Sequence, residues 1–189
     1  MTKFMNSKIL VGVVVAAIVG LIVIGGIGRI ASFTEKVVPF MAALYILGSV
    51  SILVLNADSI IPALRMIIVG AFNPQAATGG LIGATIKESF RYGIARGLFS
   101  NEAGMGSTPH AHAVAKVKHP GQQGLVAIMG VVIDTGIVCT LTALVILTTG
   151  AFETGLSGAA LTQMGFVNGL GGFGSYFIAV CLFFFALST

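Results

Sequence analysis

A polar, glycine-rich stretch interrupts the apolar chain at residues 97–107, which read Gly-Leu-Phe-Ser-Asn-Glu-Ala-Gly-Met-Gly-Ser. It combines hydroxyl, carboxamide and carboxylate groups with glycines, which tolerate non-helical backbone angles. At membrane depth such backbone occurs only where it is buried in protein or lines a polar cavity. Broken helices in transporters bind small charged solutes and coupling ions. We therefore predict a substrate-binding site made of Ser100, Asn101, Glu102, Ala103, Gly104, Met105, Gly106 and Ser107.

Two interpretations of this stretch remain open at the level of sequence. A half-helix that begins after the break would offer N–H groups and a partial positive charge to a substrate carboxylate, while Ser100 or Asn101 met the ammonium group. The alternative is a plain loop in which Ser and Asn cap the next helix. For Glu102 the choice is between substrate contact and a structural ion pair with one of three nearby basic residues, Arg96, Arg91 or Lys87.

Composition predicts a membrane protein. Of the 189 residues, 56% are hydrophobic and 8% are charged, and the mean hydropathy is +1.03. A soluble domain carries about 25% charged residues. The net charge of +4 does not indicate nucleic acid as a partner, because the basic residues are scattered. Cys139 and Cys181 lie in apolar runs, which favours packing over a disulfide or a metal site.

The apolar runs predict an all-helical, multi-pass chain forming a single membrane domain over residues 1–189. A spanning helix needs roughly 20 apolar residues. Pro39 falls in the first turn of the second run, and polar connections are expected at 29–36 and 148–169. The chain ends in mid-helix, which suggests that it is a piece of a longer protein. The predicted membrane helices are about 9–28, 37–55, 81–115 (broken at 100–107), 125–147 and 173–189, with an interfacial helix at about 58–72.

The distribution of basic residues predicts an orientation. Lys and Arg accumulate in cytoplasmic loops. Arg29 and Lys36 mark one such connection, and Lys116 and Lys118 mark another. The stretch 148–169 has neither residue type and is expected outside, although Lys3 and Lys8 oppose the external N-terminus that this alternation requires.

Further polar groups lie near or within apolar runs. Asp134 and Thr135 interrupt the fourth run, where an intramembrane carboxylate is a functional hypothesis by default. Asp134 either joins an ion or proton path or hydrogen-bonds backbone N–H groups of the broken helix, and Thr135 could serve in the same role. The three histidines His110, His112 and His119 do not indicate a metal site, because a spacing of two places the first pair on different helix faces. We interpret them as interfacial polar residues.

These motifs together resemble the alanine/glycine:cation symporters. The resemblance rests on residues 96–107, on His119-Pro120, Gln123-Gly124-Leu125, Ile133-Asp134-Thr135 and Cys139-Thr140, and on 35–41 and 185–189. It implies an inverted-repeat secondary transporter of five plus five helices, of which this chain would hold the fourth to the eighth. The first helix and its part of the sites would be missing, so the chain alone is not expected to transport.

The resemblance also implies a function. It implies symport of alanine or glycine with sodium, in the cell membrane, with no cofactor other than sodium as the coupling ion. The partners are then a small amino acid, the lipid bilayer and the missing helices. The carbonyl of Ala186 with the hydroxyls of Ser188 and Thr189 would form a sodium site, unless those hydroxyls bond their own helix. The alternative function is a non-transporting membrane scaffold or a channel-like fragment, whereas an enzyme would need a nucleophile–base pair or a metal set. Alanine versus glycine, and sodium versus proton, stay open.

Overall fold

In the computed structural model, which describes residues 2–72, 84–102 and 104–188, the regular elements are all helices. The prediction of an all-helical chain is thereby confirmed for these residues. Two of these helices, Gly26–Leu55 and Pro120–Thr148, are long and apolar enough to cross a membrane. The helices are α1 Thr2–Val23, α2 Gly26–Leu55, α3 Ile60–Phe72, α4 Ala84–Ser100, α5 Ser107–His112, α6 Pro120–Thr148, α7 Gly158–Leu170 and α8 Gly172–Ser188.

Helix α2 begins earlier than the sequence pattern indicated. Residues 29–36, expected as a connection, are helical, and the chain turns at 24–25 before Gly26, whose φ is +73°. The hydroxyls of Ser32 and Thr34 each donate to the carbonyl four residues earlier, at 2.9 and 2.7 Å. Polar side chains that are satisfied within a helix do not require a loop. With 30 residues, α2 is about 45 Å long, so its polar first third can extend beyond the hydrocarbon core.

Pro39 consequently lies inside α2 and not in its first turn. A proline in a helix interior removes one backbone hydrogen bond and favours a kink. At the start of the helix the Arg29 side chain donates to the carbonyl of Leu21 at 3.0 Å and ties α1 to α2. The turn between the first two helices therefore carries a basic group that contacts both of them.

The stretch 148–169, expected as a polar connection, contains a 3-10 turn at Ala151–Thr154 and helix α7. Glycines in the left-handed region, at 150, 155 and 171, delimit these elements. Phe166, in the middle of α7, is fully buried. This stretch, which lacks Lys and Arg, therefore forms a packed helix as well as turns.

The core lies where α2, the last part of α6, α7 and α8 meet. Its largest fully buried side chains are Phe166, Ile52, Ile178 and Val145. Across this core the hydroxyls of Tyr45 and Thr142 lie 2.6 Å apart. Glycines allow close helix approach here, as is usual in membrane bundles: a Cβ at position 174 would lie 2.1 Å from the backbone oxygen of Phe166. The last part of α6 is therefore fixed by its packing in this core.

The remaining expected helices match the observed elements in part. Helix α3, preceded by a 3-10 turn at Ala57–Ser59, occupies the range expected for the interfacial helix. The expected start of the broken helix, at 81, lies outside the described residues, and α4 is described from Ala84. The expected span at 125–147 is longer at both ends in α6. Helix α8 is described to Ser188, and the expected end at 189 lies outside the described residues.

Candidate functional site

The break in the third predicted span separates α4, which ends at Ser100, from α5, which begins at Ser107. Three residues between them have left-handed backbone angles: Glu102 with φ +50°, Gly104 with +79° and Gly106 with +84°. Such angles cost little for glycine but are uncommon for other residues. The predicted interruption is therefore present, and a non-glycine residue takes part in it.

Two side-chain pairs join the end of α4 to α6. The Ser100 hydroxyl donates to Oδ2 of Asp134 at 2.6 Å, and the Thr135 hydroxyl donates to Oδ1 of Asn101 at 2.9 Å. The Asn101 amide also donates to the carbonyl of Gly97 at 3.0 Å, within α4. Asp134 thus bonds to a side chain of the broken helix, whereas one of the two interpretations left open by the sequence had it bond backbone N–H groups there. We call these four residues, Ser100, Asn101, Asp134 and Thr135, the clamp.

The α6 half of the clamp lies in a π-helical segment, Val132–Cys139. Segments of this kind add a residue to the helical turn and are frequent at functional sites. The Thr140 hydroxyl donates to the carbonyl of Thr135 at 3.2 Å and supports the widened turn. Sequence reasoning missed this segment, because apolar periodicity is too coarse to indicate a change in helical winding.

Glu102 bonds to a hydroxyl and not to Arg91 or Arg96. Its Oε2 accepts from Thr108 of α5 at 3.0 Å, whereas the Lys87 side chain lies outside the described residues. The carboxylate thereby faces the first turn of α5, a helix of only six residues. The chain's own carboxylate thus lies at the helix end where we expect a substrate carboxylate, and that expectation stays a prediction.

A groove of about 620 Å³ opens between the break, α5 and α6. Pockets that hold small molecules commonly measure about 300–1,000 Å³ and combine apolar walls with a few polar groups. The walls of this groove are apolar residues of α6 between 126 and 132. Its polar lining consists of Ser100, Asn101, Glu102, Thr108, His112 and Asp134.

Only part of the predicted substrate site lines this groove. Ser100, Asn101 and Glu102 do, whereas Ala103 lies outside the described residues and 104–107 are not among the lining residues. A Cβ placed on Gly104 would meet nothing within 4 Å. Gly104 and Gly106 therefore shape the backbone of the break, and the groove is lined by the residues preceding them and by α6.

The other predicted site residues fall elsewhere. Ala186 lies in α8, while the Ser188 side chain and Thr189 lie outside the described residues. The hydroxyl–carbonyl set expected for sodium therefore stays a prediction.

The three histidines have separate local roles. Nδ1 of His110 lies 2.6 Å from the carbonyl of Gly106, and Nδ1 of His119 accepts from the backbone of Gly121 at 3.1 Å. His112 accepts from the side-chain amide of Gln123. Within the described parts of the chain, no three His, Cys, Asp or Glu residues are grouped as a metal site.

The two cysteines differ in environment, although the sequence suggested packing for both. Cys181 is fully buried in the core, whereas Cys139 is exposed. The Cys139 sulfur lies 3.9 Å from the Ser100 hydroxyl. The protein therefore carries an accessible thiol beside the clamp.

An apolar helical chain with a glycine-containing break, joined by polar side chains to a neighbouring helix, has the features of a secondary membrane transporter. The sequence matches the sodium:alanine symporter family over residues 1–189. The chain belongs to this family, and membership of a transporter family implies a membrane location.

Related proteins are similar over nearly the whole chain. It is 44% identical over 187 residues to an uncharacterized transporter of Haemophilus influenzae, covering 97% of this chain and 41% of that protein. It is 44% identical over 192 residues to the sodium/alanine symporter AgcS of Methanococcus maripaludis, covering 100% and 41%. It is 39% identical over 183 residues to the probable sodium/glutamine symporter GlnT of Bacillus subtilis, covering 96% and 37%. The chain thus spans about two fifths of the length of these relatives.

Proposed function

We propose that this chain forms part of a multi-pass transporter in the cell membrane that couples sodium entry to uptake of a small neutral amino acid, alanine or glycine. In this proposal the fold is an inverted repeat of five plus five helices. The chain contributes one side of the substrate site at the break, and the rest of a longer polypeptide contributes the other. Sodium is the coupling ion, with Ala186, Ser188 and Thr189 as its proposed ligands.

The clamp and its groove are the observation that carries the proposal. Ser100, Asn101 and Asp134 present hydroxyl, amide and carboxylate oxygens to a groove whose other wall is apolar. A zwitterionic amino acid needs polar partners for its charged ends and apolar contact for a methyl group. In this proposal the ammonium group of the amino acid meets the oxygens of Ser100, Asn101 and Asp134, and its methyl group meets the apolar wall.

The choice of substrate draws on the named relatives. One is named for alanine and another for glutamine, so the shared chemistry is that of a neutral α-amino acid. We favour alanine or glycine because of the family to which the chain belongs.

The exposed apolar faces accord with lipid and further helices as partners. Leu125, Met129 and Ile133 on α6, which do not line the groove, are 65%, 58% and 42% exposed. Side chains of this kind are stable next to lipid tails or other membrane helices.

The proposal is tested in a hybrid in which residues 1–189 replace the matching stretch of the Methanococcus maripaludis relative. We expect Gly104→Val to abolish sodium-dependent alanine uptake by this hybrid while its membrane abundance stays normal. The structure assigns the effect to backbone strain, since φ is +79° and a Cβ has open space around it. A β-branched residue in that region costs about 1–3 kcal/mol.

Two matched substitutions separate the site from general damage. Gly155 has φ +69° and open space, so Gly155→Val imposes similar strain away from the break; Gly93→Val introduces the same side chain within α4. Both should retain uptake. Normal uptake by Gly104→Val would refute the assignment of the break to the substrate site, and sodium-independent flux through the unmodified hybrid would favour a channel-like protein.

The topology in this proposal is tested by cysteine labelling with a membrane-impermeant reagent, in a Cys139→Ser background. Cysteines at Ser32, near the basic start of α2, and at Ser157, which precedes α7, should be labelled from opposite faces. We expect the first to react from the cytoplasmic side, because basic residues accumulate there. Labelling of both positions from one face would contradict the proposed orientation.

A further inference from the structure

A second groove leads away from the candidate site along α5. It has a volume of about 480 Å³ and extends to the connection before α6. Thr108, His112 and Ala127 line both grooves. The two spaces are therefore neighbours along one path, from the clamp toward the end of α5 that precedes Lys116 and Lys118.

In the described part of the chain, one side-chain hydrogen bond joins α5 to α6 beside this path. The Gln123 amide of α6 donates to Nδ1 of His112 in α5. The other described side-chain bonds of α5, from Ser107, Thr108 and His110, reach Glu102 and Gly106 in the break. His112 and Gln123 are both half-buried, so their bond is partly shielded from solvent. In the described residues this bond is the polar tie of α5 to α6.

The backbone on both sides of α5 can act as a hinge. The helix has six residues, follows Gly106 with φ +84°, and is succeeded by non-helical residues 113–119. Closure motions in proteins are absorbed at a few such residues at the ends of elements. A short helix between two hinges moves as a unit, and the tie to α6 determines its position.

We propose that the His112–Gln123 pair is a latch that holds α5 against α6 and controls passage of the amino acid between the clamp and the Lys116 side. This inference rests on the proposed function and adds a gating role for two residues that line the grooves. While the bond is present, α5 separates the two grooves. When it breaks, α5 moves from α6, and the solute passes along Thr108 and Ala127.

The latch is tested first by accessibility, which needs no transport. A reporter cysteine at Ala127, at the junction of the grooves, is placed in the hybrid with Cys139→Ser, and its alkylation rate is measured in inside-out vesicles. Gln123→Leu removes the amide while keeping a similar volume. We expect the rate to rise about two- to tenfold, the range that loss of one neutral hydrogen bond gives. Gln122→Leu makes the same change at the exposed neighbouring residue and should leave the rate unchanged.

A second measurement locks the latch. Cysteines replace His112 and Gln123 in the hybrid lacking Cys139, and a short reducible bifunctional thiol reagent links them. Alanine uptake should fall at least tenfold on linking and return after reduction, while a variant with a single cysteine at the exposed Gln122 shows no such loss. Equal alkylation rates in Gln123→Leu and its parent, or undiminished uptake by the linked protein, would overturn the latch. A hybrid that responds in the alkylation assay but transports no alanine would instead retain the latch and refute the proposed substrate.

Discussion

The clamp makes a quantitative prediction about the coupling between Ser100 and Asp134. We consider Ser100→Ala and Asp134→Ala, singly and together, in the hybrid transporter. Each single substitution removes the 2.6 Å bond between the hydroxyl and the carboxylate. The double variant shows what each side chain contributes apart from that bond, so the cycle isolates the energy of the pair.

The structure determines the magnitude expected. Hydrogen bonds to charged groups contribute about 1.5–3 kcal/mol. Ser100 is exposed and Asp134 is half-buried in the described structure, so solvent competes for both atoms and the lower end applies. A coupling of about 1.5 kcal/mol corresponds to about a tenfold change in kcat/KM. The double variant should therefore be about tenfold more active than the product of the two single effects indicates.

Initial rates of sodium-dependent alanine uptake, normalised to the membrane abundance of each variant, give the four values of kcat/KM. A comparison cycle pairs Ser100→Ala with Thr148→Val. The Thr148 hydroxyl bonds the carbonyl of Leu144 at the far end of α6, so these two changes should be additive within about 0.5 kcal/mol. If the Ser100 and Asp134 effects are additive to the same degree, the clamp does not act on transport and our reasoning about the break is wrong.

Two further predictions concern packing and access. Gly174→Ala places a methyl group against the backbone of Phe166, which cannot move aside like a flexible side chain. We expect the free energy of unfolding to fall by about 1–3 kcal/mol. The thermal midpoint of the purified hybrid should then be lower. Gly130→Ala, with nothing within 4 Å, should leave the midpoint unchanged, and equal midpoints for both variants would contradict the packing described. Cys139 should react with a small thiol reagent, whereas the buried Cys181 should not. Alanine should slow the reaction of Cys139. Labelling of Cys181 in a Cys139→Ser variant of the folded hybrid would show that the core is not packed as described.

Several features followed from residue types and their order. Low charge and long apolar runs indicated an all-helical membrane protein, because a polar backbone in lipid must satisfy its hydrogen bonds within a helix. The break at 100–107 was predictable because Gly104 and Gly106 lie within a polar cluster between two helical segments. Asp134 and Thr135 were recognisable as unusual because polar groups inside an apolar run require partners.

Other features depended on partners distant in the chain. The Ser100–Asp134 and Thr135–Asn101 bonds each connect residues 34 positions apart, and no local pattern specifies which hydroxyl meets which carboxylate. Glu102 bonds to Thr108 and not to a nearby arginine. This choice likewise depends on the direction that the backbone takes at the break. The π-helical segment of α6 is a small change in helical winding, for which apolar periodicity is too coarse an indicator.

The two stretches that we expected to be connections, 29–36 and 148–169, show the same difference between local and tertiary information. Polar residues at 29–36 resembled a loop but are helical, because Ser32 and Thr34 bond to carbonyls of their own helix. The uncharged stretch at 148–169 resembled a loop because of its glycines, yet α7 within it is packed through Phe166 against the core. Sequence determines the solvent that each residue prefers and the backbone angles that it tolerates. Only tertiary packing decides which of several tolerated conformations is adopted, because that choice depends on contacts made by residues far apart in the chain.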